Sequence, residues 1–472
     1  MLWNGFLCIH SFPQLFADIC IYIFRMVQKN QLSILVKRLP VCIFSLYAFL
    51  GGNNVISQKP ANTLHELNTL LIHTVMEDLF TPPVANRIYV YPNIAFYECI
   101  HNADASYESL AGKLTGLNPL PAPATGSQVD HFIAACISFS YVAQSLVGSE
   151  YKIEDWRKKF IDSVRSNMDS IRFIHSVRYG HAVADSIIAW SKRDKYLISK
   201  GMQRHVLSKK AGAWQPTPNE YLQALEPHWN IIRPMTMVTA GQFSPPKKLQ
   251  YNPSRRSEFF KNVQEVYRIS KNRDTLRRSK ALYWDDNPNI SIQEGHLTYY
   301  VHKISPAGHW LMITRQACME NDVAVLKSSL AYTMTAISMF DGFIGCWDEK
   351  FKIDLIRPVT VINHFIDENW QPLIQTPPFP EFTSGHAVIS NAAATVLTKI
   401  FGDHYRFTDN TEIPFGIKPR TFESFYKAAE ESSWSRVYGG IHYPETARIS
   451  ISQGKLIGQH VLKFCSMPAL NK

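Results

Sequence analysis

Apolar residues recur at spacings of three and four along most of the chain after residue 58. The first such segment carries leucines and a valine at positions 64, 67, 70, 71 and 75. Residues with this spacing share one face of an α-helix, so the pattern predicts an amphipathic helix packed against a core. Segments that alternate strictly between apolar and polar residues are few and short, which argues against an extensive sheet.

The helical pattern is interrupted by short proline-containing stretches at 119–123, 214–218, 243–246 and 375–380. Such stretches separate helices rather than continue them. No internal repeat of fixed period is visible, which argues against a solenoid. We therefore predict an all-α protein in which residues 58–472 form a single domain, built from two helical bundles side by side.

The N-terminal segment 1–57 differs from this body. Residues 1–25 are mostly apolar and aromatic, and a basic stretch at 29–38 then precedes a twelve-residue apolar run at 39–50. A basic start, a short apolar run and a polar exit are the order of a secretory signal peptide, which predicts export to the periplasm or the extracellular space. The alternative is a membrane anchor, although a span needs ~20 apolar residues. Met26 is the expected start, which makes residues 1–25 spurious.

Composition narrows the possible partners. Of the 472 residues, 46% are hydrophobic and 19% charged, which is globular and excludes a mostly disordered chain. The net charge of +10 permits an anionic partner, and loss of residues 1–57 would leave about +7. The most basic stretch, 245–280, also carries acids and lacks regularly spaced aromatics, so we expect a solvated helical face and no nucleic-acid partner. No apolar run after residue 57 reaches 18 residues, so we expect no integral membrane body.

Cysteine and histidine spacing points away from zinc. Eight cysteines occur without a C-x-x-C pair. His181 and Asp185 are four residues apart, which fits an interior hydrogen bond better than a metal site. His296, His302 and His309 have no recognised ligand spacing. The sequence therefore predicts no zinc site.

Residues 340–446 contain three clusters that together suggest an oxyanion site. The second cluster, Thr383-Ser384-Gly385-His386, follows a proline-rich stretch and precedes an apolar stripe of helical spacing. Ser384 and Gly385 are thus predicted at the start of a buried helix, where unpaired backbone N–H groups and the helix dipole favour a phosphate-like anion. Gly385 permits close approach of the backbone, and Ser384 adds a hydroxyl donor.

The other two clusters supply cations and a histidine. Lys350 and Arg357 carry the positive charge of the first cluster, and Arg357 has a planar fork suited to a tetrahedral anion. The alternative is that both cations pair at the surface with neighbouring Glu349 and Asp354. In the third cluster a predicted helix runs to Arg436, a glycine pair breaks it, and His442 precedes the last helix. Glycines at 454 and 458 are expected to let that last helix pack closely on a neighbour.

These residues resemble the signature of the superfamily that contains the vanadium-dependent haloperoxidases and the type 2 phosphatidic acid phosphatases. Its pattern is K-x6-R-P, then P-S-G-H, then S-R-x5-H-x3-D, and this chain matches the order and both internal spacings. The resemblance implies an all-α fold of two four-helix-bundle-like halves. This chain departs from the family pattern at Thr383, where the family has proline. It departs again at Thr446, where the family has the aspartate that orients the metal-binding histidine. Glu445 is one residue short of that position.

The resemblance also implies a cofactor and a role for each residue. His442 would bind the vanadium of vanadate, and His386 would act as general acid and base. Vanadate oxygens would be hydrogen-bonded by the remaining site residues, namely Lys350, Arg357, Ser384, Gly385 and Arg436. Lys350 would also be catalytic, because it would polarise the peroxide. The expected reaction is oxidation of a halide by hydrogen peroxide to hypohalous acid, which then reacts with a small organic acceptor.

Two aromatic residues favour the haloperoxidase branch. Trp347 and Phe379 stand where fungal chloroperoxidases have tryptophan and phenylalanine, and we hypothesise that both line a halide pocket. Ordinary core aromatics are the alternative. The length of the chain also favours this branch, because the small phosphatases of the superfamily are much shorter. An exported acid phosphatase that uses the same site without vanadate, and a non-catalytic oxyanion-binding homologue, remain as alternatives. Oligomer formation is possible and is not predicted by any pattern.

Overall fold

A computed structural model describes residues 59–465, apart from residues 219, 273, 289 and 295. The predicted export segment 1–57 therefore lies outside the described residues. Helices dominate the described part, which confirms the predicted all-α class. They are, in chain order, α1 Pro60–Glu77, α2 Pro82–Ile100, α3 His131–Gln144, α4 Glu150–Arg165, α5 Ser170–Ser191, α6 Tyr196–Gly201, α7 Glu258–Lys271, α8 Thr275–Tyr283, α9 Pro306–Glu320, α10 Val325–Ile353, α11 Pro358–Phe365, α12 Gly385–Phe401, α13 Phe425–Tyr438 and α14 Pro444–Phe464.

Two small antiparallel hairpins accompany the helices in the described part of the chain. β1 Ile290–Glu294 pairs with β2 Leu297–Val301, and β3 Phe407–Asp409 pairs with β4 Arg420–Phe422. The segment at 64–75 forms the helix that its spacing predicts, and Leu64, Leu67, Leu71 and Val75 are all buried in the core. The apolar stripe thus faces the core and provides the hydrophobic stabilisation of α1.

Helix α10 runs through the centre of the fold. Residues 328–350 of this helix are buried, and it packs against α2, α9, α12 and α14. Helices α2, α3 and α5 pack on one another, as do α12, α13 and α14, and α10 contacts members of both groups. A helix that is apolar on all sides is expected to be surrounded by other helices, as α10 is here. Its last turn carries Lys350 into the region of the predicted site.

The contact between α12 and α14 is very close. A Cβ atom at Gly454 would lie 2.2 Å from the carbonyl oxygen of Val388, and one at Gly458 would lie 2.7 Å from the Cβ of Thr395. The two glycines therefore allow the helix backbones to approach, as the sequence predicts. This approach places the first turn of α12, where Gly385 lies, against the middle of α14, a helix that begins two residues after His442.

Backbone hydrogen bonds fix the long segment between α6 and α7 to the rest of the fold. The N–H of Trp214 donates to the carbonyl of Asp354 over 2.8 Å, and the N–H of Leu225 donates to that of Pro378 over 3.0 Å. The buried carboxylate of Asp341 on α10 accepts backbone N–H groups of Met235 (2.7 Å) and Thr236 (2.9 Å). Of these residues, Leu225 and Pro378 belong to the wall of the cavity described next. Within the described residues, no helix is both long and apolar enough to cross a membrane.

Candidate active site

A cavity of about 320 Å³ lies at the N-terminal end of α12. Its polar lining includes Gly385, His386, Arg436 and His442. The rest of the wall is largely apolar and includes Leu79, Tyr221, Leu225, Phe343, Trp347, Pro378 and Phe379. A small group of convergent polar side chains in an apolar cavity is the usual form of a ligand site.

Helix α12 begins where the sequence predicts. Ser384 is its N-cap and Gly385 its first residue. The backbone N–H of Ser384 donates to the hydroxyl of Ser450 over 2.9 Å, whereas the buried Ser384 hydroxyl has no partner among the described residues. A Cβ atom at Gly385 would lie 3.5 Å from the ring of Trp347, so this residue brings its backbone close to the cavity. Gly385 and His386 line the cavity, so the free N–H groups of the first turn of α12 lie beside it.

Arg357 and Arg436 are fully or almost fully buried beside this helix start. Arg357 donates through Nε to the carbonyl of Phe379 (2.9 Å) and through Nη1 to that of Ile441 (2.8 Å). Arg436 donates through Nη1 to the carbonyl of Trp284 over 2.7 Å. The Nη2 of Arg357 and the Nε of Arg436 are buried without partners among the described residues. Backbone carbonyls therefore fix both guanidinium groups, two at Arg357 and one at Arg436. Each group keeps one N–H donor that could bind an anion.

Lys350 is also completely buried, and its ammonium group donates to three backbone carbonyls. These belong to Pro380 (2.9 Å), Glu381 (3.2 Å) and Thr383 (2.5 Å), all in the segment before α12. Burial lowers the pKa of Lys350 to about 7, and the neighbouring Arg357 acts in the same direction. Before Lys350 could hydrogen-bond an anion in the cavity, its ammonium group would have to release one of these three carbonyls.

The alternative surface pairing of the two cations is wrong. Glu349 lies 3.2 Å from Lys248, and its other carboxylate oxygen accepts the hydroxyl of Ser244 over 2.5 Å. Asp354 lies 3.7 Å from His205. Lys350 and Arg357 instead turn inward, so their positive charges are available to the site.

His442 is oriented by a carboxylate that the sequence analysis missed. Its Nδ1–H donates to Oε1 of Glu381 over 2.8 Å, and the hydroxyl of Thr446 donates to Oε2 of the same carboxylate over 2.9 Å. The N–H of Tyr443 also donates to Oε1 over 3.0 Å. Thr446 therefore supports an orienting carboxylate from another segment, although it stands where the family has the carboxylate itself.

The other ring nitrogen of His442, Nε2, is able to act as a metal ligand. Its Nε2 lies 3.3 Å from Nη1 of Arg357, which donates to it. Burial lowers the pKa of His442 well below its usual value, and Arg357, Lys350 and Arg436 add to the effect. The ring is thus neutral, with a proton on Nδ1 and a lone pair on Nε2, as a metal ligand requires.

His386 follows Gly385 in the first turn of α12 and faces the same cavity. Its ring hydrogen-bonds the backbone of Trp284, while Nε2 is buried without a hydrogen-bond partner among the described residues. The nearest acid is Asp286, whose Oδ2 lies 3.7 Å from Nε2. Burial lowers the pKa of His386 well below its usual value, and Arg436 and His309 lower it further. A neutral Nε2 beside the cavity can accept a proton from a bound molecule.

Trp347 and Phe379 form an aromatic wall of the cavity. Their ring centres are 5.0 Å apart, and both residues are almost completely buried. The ammonium of Lys350 lies 4.8 Å from the centre of the Phe379 ring, and the guanidinium of Arg357 lies 5.1 Å from it. The predicted aromatic pair therefore lines the same cavity as both histidines, while their role toward halide stays a prediction.

The structure brings all the sequence-predicted site residues into one region. The buried donors without partners among the described residues include the hydroxyl of Ser384, Nη2 of Arg357 and Nε of Arg436. Buried donors without a partner are costly, and a tetrahedral oxyanion would satisfy several of them at once. Nε2 of His442 lies in the same region, 3.3 Å from Nη1 of Arg357. The arrangement therefore fits vanadate, which needs one nitrogen ligand and several donors to its oxygens.

The sequence analysis missed Glu381, Asp285 and Asp286. Glu381 stands three residues before Ser384, in the proline-rich entry to α12, so its position next to the second cluster was a usable signal. Asp285 lies 3.8 Å from Arg436, and Asp286 lines the cavity. Neither aspartate has a spacing to the three clusters that would have revealed it.

Comparisons with known proteins agree with the family resemblance seen in the sequence. A family model described as the VCPO second helical-bundle domain matches residues 330–469. One similar solved structure is described as the crystal structure of the first bacterial vanadium-dependent iodoperoxidase. Its sequence is 38% identical to this chain, and the two structures superpose with a TM-score of 0.82. The match covers 87% of this chain and 98% of that chain. No curated protein matches the sequence.

More distant structures share the fold. The holo form of a bacterial vanadium-dependent chloroperoxidase is 15% identical with a TM-score of 0.61, and the match covers 84% of this chain and 94% of that chain. The apo form is 15% identical with a TM-score of 0.62, with 83% and 95% covered. At this identity the likeness concerns the fold alone.

Proposed function

The chain belongs to the vanadium-dependent haloperoxidase superfamily, and we propose that it holds vanadate at His442 and oxidises iodide with hydrogen peroxide to hypoiodous acid. In this reaction iodide, peroxide and one proton give hypoiodous acid and water. The observation that carries the proposal is a set of buried donors without partners among the described residues, from Ser384, Arg357 and Arg436, in the same region as Nε2 of His442, which lies 3.3 Å from Nη1 of Arg357. Iodide is the proposed halide because the relative at 38% identity is an iodoperoxidase.

When bound, vanadate would supply a Lewis acid that activates peroxide towards nucleophilic attack. The residues around it have separate tasks. The neutral His442 ring would donate its Nε2 lone pair, while Glu381 keeps the proton on Nδ1 and fixes the plane of the ring. Arg357 and Arg436 would neutralise the oxyanion at fixed distances, because backbone carbonyls already hold both guanidinium groups.

His386 is the proposed proton carrier. Its pKa is held well below the usual value by burial, so near neutral pH the imidazole is unprotonated and can act as a base. Its unpaired Nε2 faces the cavity, where it would take a proton from peroxide and return it to the leaving oxygen.

The cavity would also control which molecules reach the site. Trp347, Phe343 and Phe379 give it an apolar wall, which suits a large polarisable anion such as iodide better than a strongly hydrated one. The remaining volume would admit a small organic acceptor. The proposal is tested by iodide oxidation that saturates with added orthovanadate in the wild type and is lost in His442→Ala.

A further inference from the structure

Three acidic side chains converge on His309 at one side of the cavity. Asp286 Oδ1 lies 2.9 Å from Nδ1 of His309, and Glu412 Oε1 lies 3.7 Å from the same nitrogen. On the other side of the ring, Asp409 Oδ2 lies 2.7 Å from Nε2. All four side chains are buried. They come from three separate segments of the chain, at 286, 309 and 409–412, so spacing along the sequence does not bring them together.

A protonated His309 cannot satisfy this cluster alone. An imidazolium has two N–H groups, and Asp286 and Asp409 accept both. Glu412 is only 3% exposed, and its Oε1 is left without a hydrogen-bond partner among the described residues. A buried carboxylate oxygen pointing at two other ligand atoms calls for a positive partner.

We propose that Asp286, His309 and Glu412 bind one divalent transition-metal cation of the Mn²⁺ or Zn²⁺ type. Their nearest oxygen and nitrogen atoms lie within 4.8 Å of one another, which allows a single ion to contact all three. Two carboxylates and one imidazole suit first-row divalent ions, whereas Ca²⁺ takes oxygen ligands. This site is separate from His442, and it holds whether or not the chain oxidises halides.

The surroundings of His309 match those of a metal-binding histidine. Such a histidine commonly donates its second N–H to a carboxylate, and Asp409 occupies that position. The N–H of Thr411 in turn donates to Asp409 over 3.0 Å. The ring of Trp284 stacks on His309 at a centroid distance of 4.7 Å and an angle of 20°, which fixes the imidazole plane.

Charge and access also agree with the proposal. When His309 is neutral and all three carboxyl groups are ionised, as metal binding requires, the cluster carries three negative charges, and a divalent cation offsets two of them. The other charged groups nearby are Lys303, which pairs with Asp285 at 3.2 Å, and Arg436, which lies 3.8 Å from Asp285. Asp286 lines the cavity, so an ion can enter from there. Binding must displace the proton from Nδ1 of His309, so the affinity should fall as the pH is lowered.

The experiment measures metal binding rather than enzyme activity. The full chain is stripped with a chelator and titrated by calorimetry with Zn²⁺ and, separately, Mn²⁺, in the absence of vanadate and phosphate. Glu412→Gln removes a ligand charge and leaves the shape, and its folding is checked by circular dichroism. Glu320→Gln is the matched control, because Glu320 is exposed and outside the cluster. Asp409→Asn is a second variant. It keeps all three proposed ligands but weakens the hydrogen bond that orients the His309 ring.

The proposal predicts one equivalent of tightly bound ion in the wild type and in Glu320→Gln. Glu412→Gln should bind that ion more weakly by about tenfold or more, and Asp409→Asn should lose about tenfold. Ca²⁺ should not compete. Absence of stoichiometric binding by the wild type would overturn the proposal. Equal affinity in the wild type and Glu412→Gln would also overturn it, because the ion would then be bound by residues other than Glu412.

Discussion

Glu381 accepts the Nδ1–H of His442 over 2.8 Å, although the two residues are 61 positions apart in the chain. In the resembling family signature the orienting carboxylate stands four residues after the histidine, where this chain has Thr446. Here the carboxylate comes instead from the entry to α12, and Thr446 donates a hydrogen bond to it. The orienting interaction is therefore present, but it is supplied from a different segment.

Replacement of Glu381 by glutamine should weaken vanadate binding. An amide keeps the size of the side chain but no longer stabilises the Nδ1–H tautomer by a charge, so we expect a loss of about 10–100-fold in affinity. The measurement is a calorimetric vanadate titration. Glu445→Gln is the matched control, because Glu445 pairs with Lys247 and Arg448 near the surface. An unchanged dissociation constant in Glu381→Gln would contradict the assigned role.

Anion binding should depend on the protonation of Lys350. Burial lowers the pKa of its ammonium to about 7, so in the anion-free protein Lys350 loses its charge as the pH rises through neutrality. A bound dianion favours the charged form, and affinity should therefore be greatest below this pKa. Above it we expect a decline that approaches about tenfold per pH unit. Molybdate is a suitable probe, because it stays a tetrahedral dianion over this range.

The control for this pH dependence is Lys350→Met. It should bind molybdate weakly and without the decline that begins near pH 7, since the titrating group is gone. If wild-type affinity were flat from about pH 6 to about pH 9, the coupling between Lys350 and the anion would be refuted. If the variant retained the full decline, another group would be responsible.

Truncation of Trp347 should change the halide preference. Its ring forms one wall of the cavity together with Phe379 at 5.0 Å, and Trp347→Ala would open this wall to water. The ratio of kcat/KM for iodide, bromide and chloride should shift, with iodide losing most. Trp156→Ala is the control, because Trp156 stacks on Phe160 and does not line the cavity. An unchanged ratio would mean that Trp347 is an ordinary core residue.

Gly454→Ala should destabilise the fold. The added Cβ would lie 2.2 Å from the carbonyl oxygen of Val388, so α12 and α14 would have to separate. Overpacking of this kind costs about 1–3 kcal/mol of unfolding free energy, which urea denaturation can measure. Gly201→Ala is the control, with no atom within 4 Å of the added methyl group and an expected change within about 0.5 kcal/mol. Equal stability of the two variants would contradict the close packing.

Much of the fold was predictable, because local patterns determine it. The apolar spacing of α1, the proline-rich entry to α12 and the glycines of α14 are all readable from the chain. The start of α12 at Ser384 and Gly385 was predictable for the same reason, since the proline-rich stretch before it and the apolar stripe after it are local patterns.

Contacts between distant segments were not predictable in this way. Glu381 reaches His442 only because the entry to α12 and the start of α14 pack together. The cluster around His309 joins α9 to the loops at 286 and 409–412, so spacing along the chain gave no sign of it. Such contacts depend on tertiary packing, whereas the three clusters of the site are each local in sequence.

The most direct test combines halide oxidation with ester hydrolysis on one preparation. Purified protein freed of phosphate is assayed for triiodide formation with orthovanadate, hydrogen peroxide and iodide, and in parallel for hydrolysis of a phosphate ester without vanadate. We expect iodide oxidation that requires vanadate and peroxide, is lost in His442→Ala and falls about 10²–10⁴-fold in His386→Ala. Robust ester hydrolysis without vanadate-dependent iodide or bromide oxidation would contradict the account.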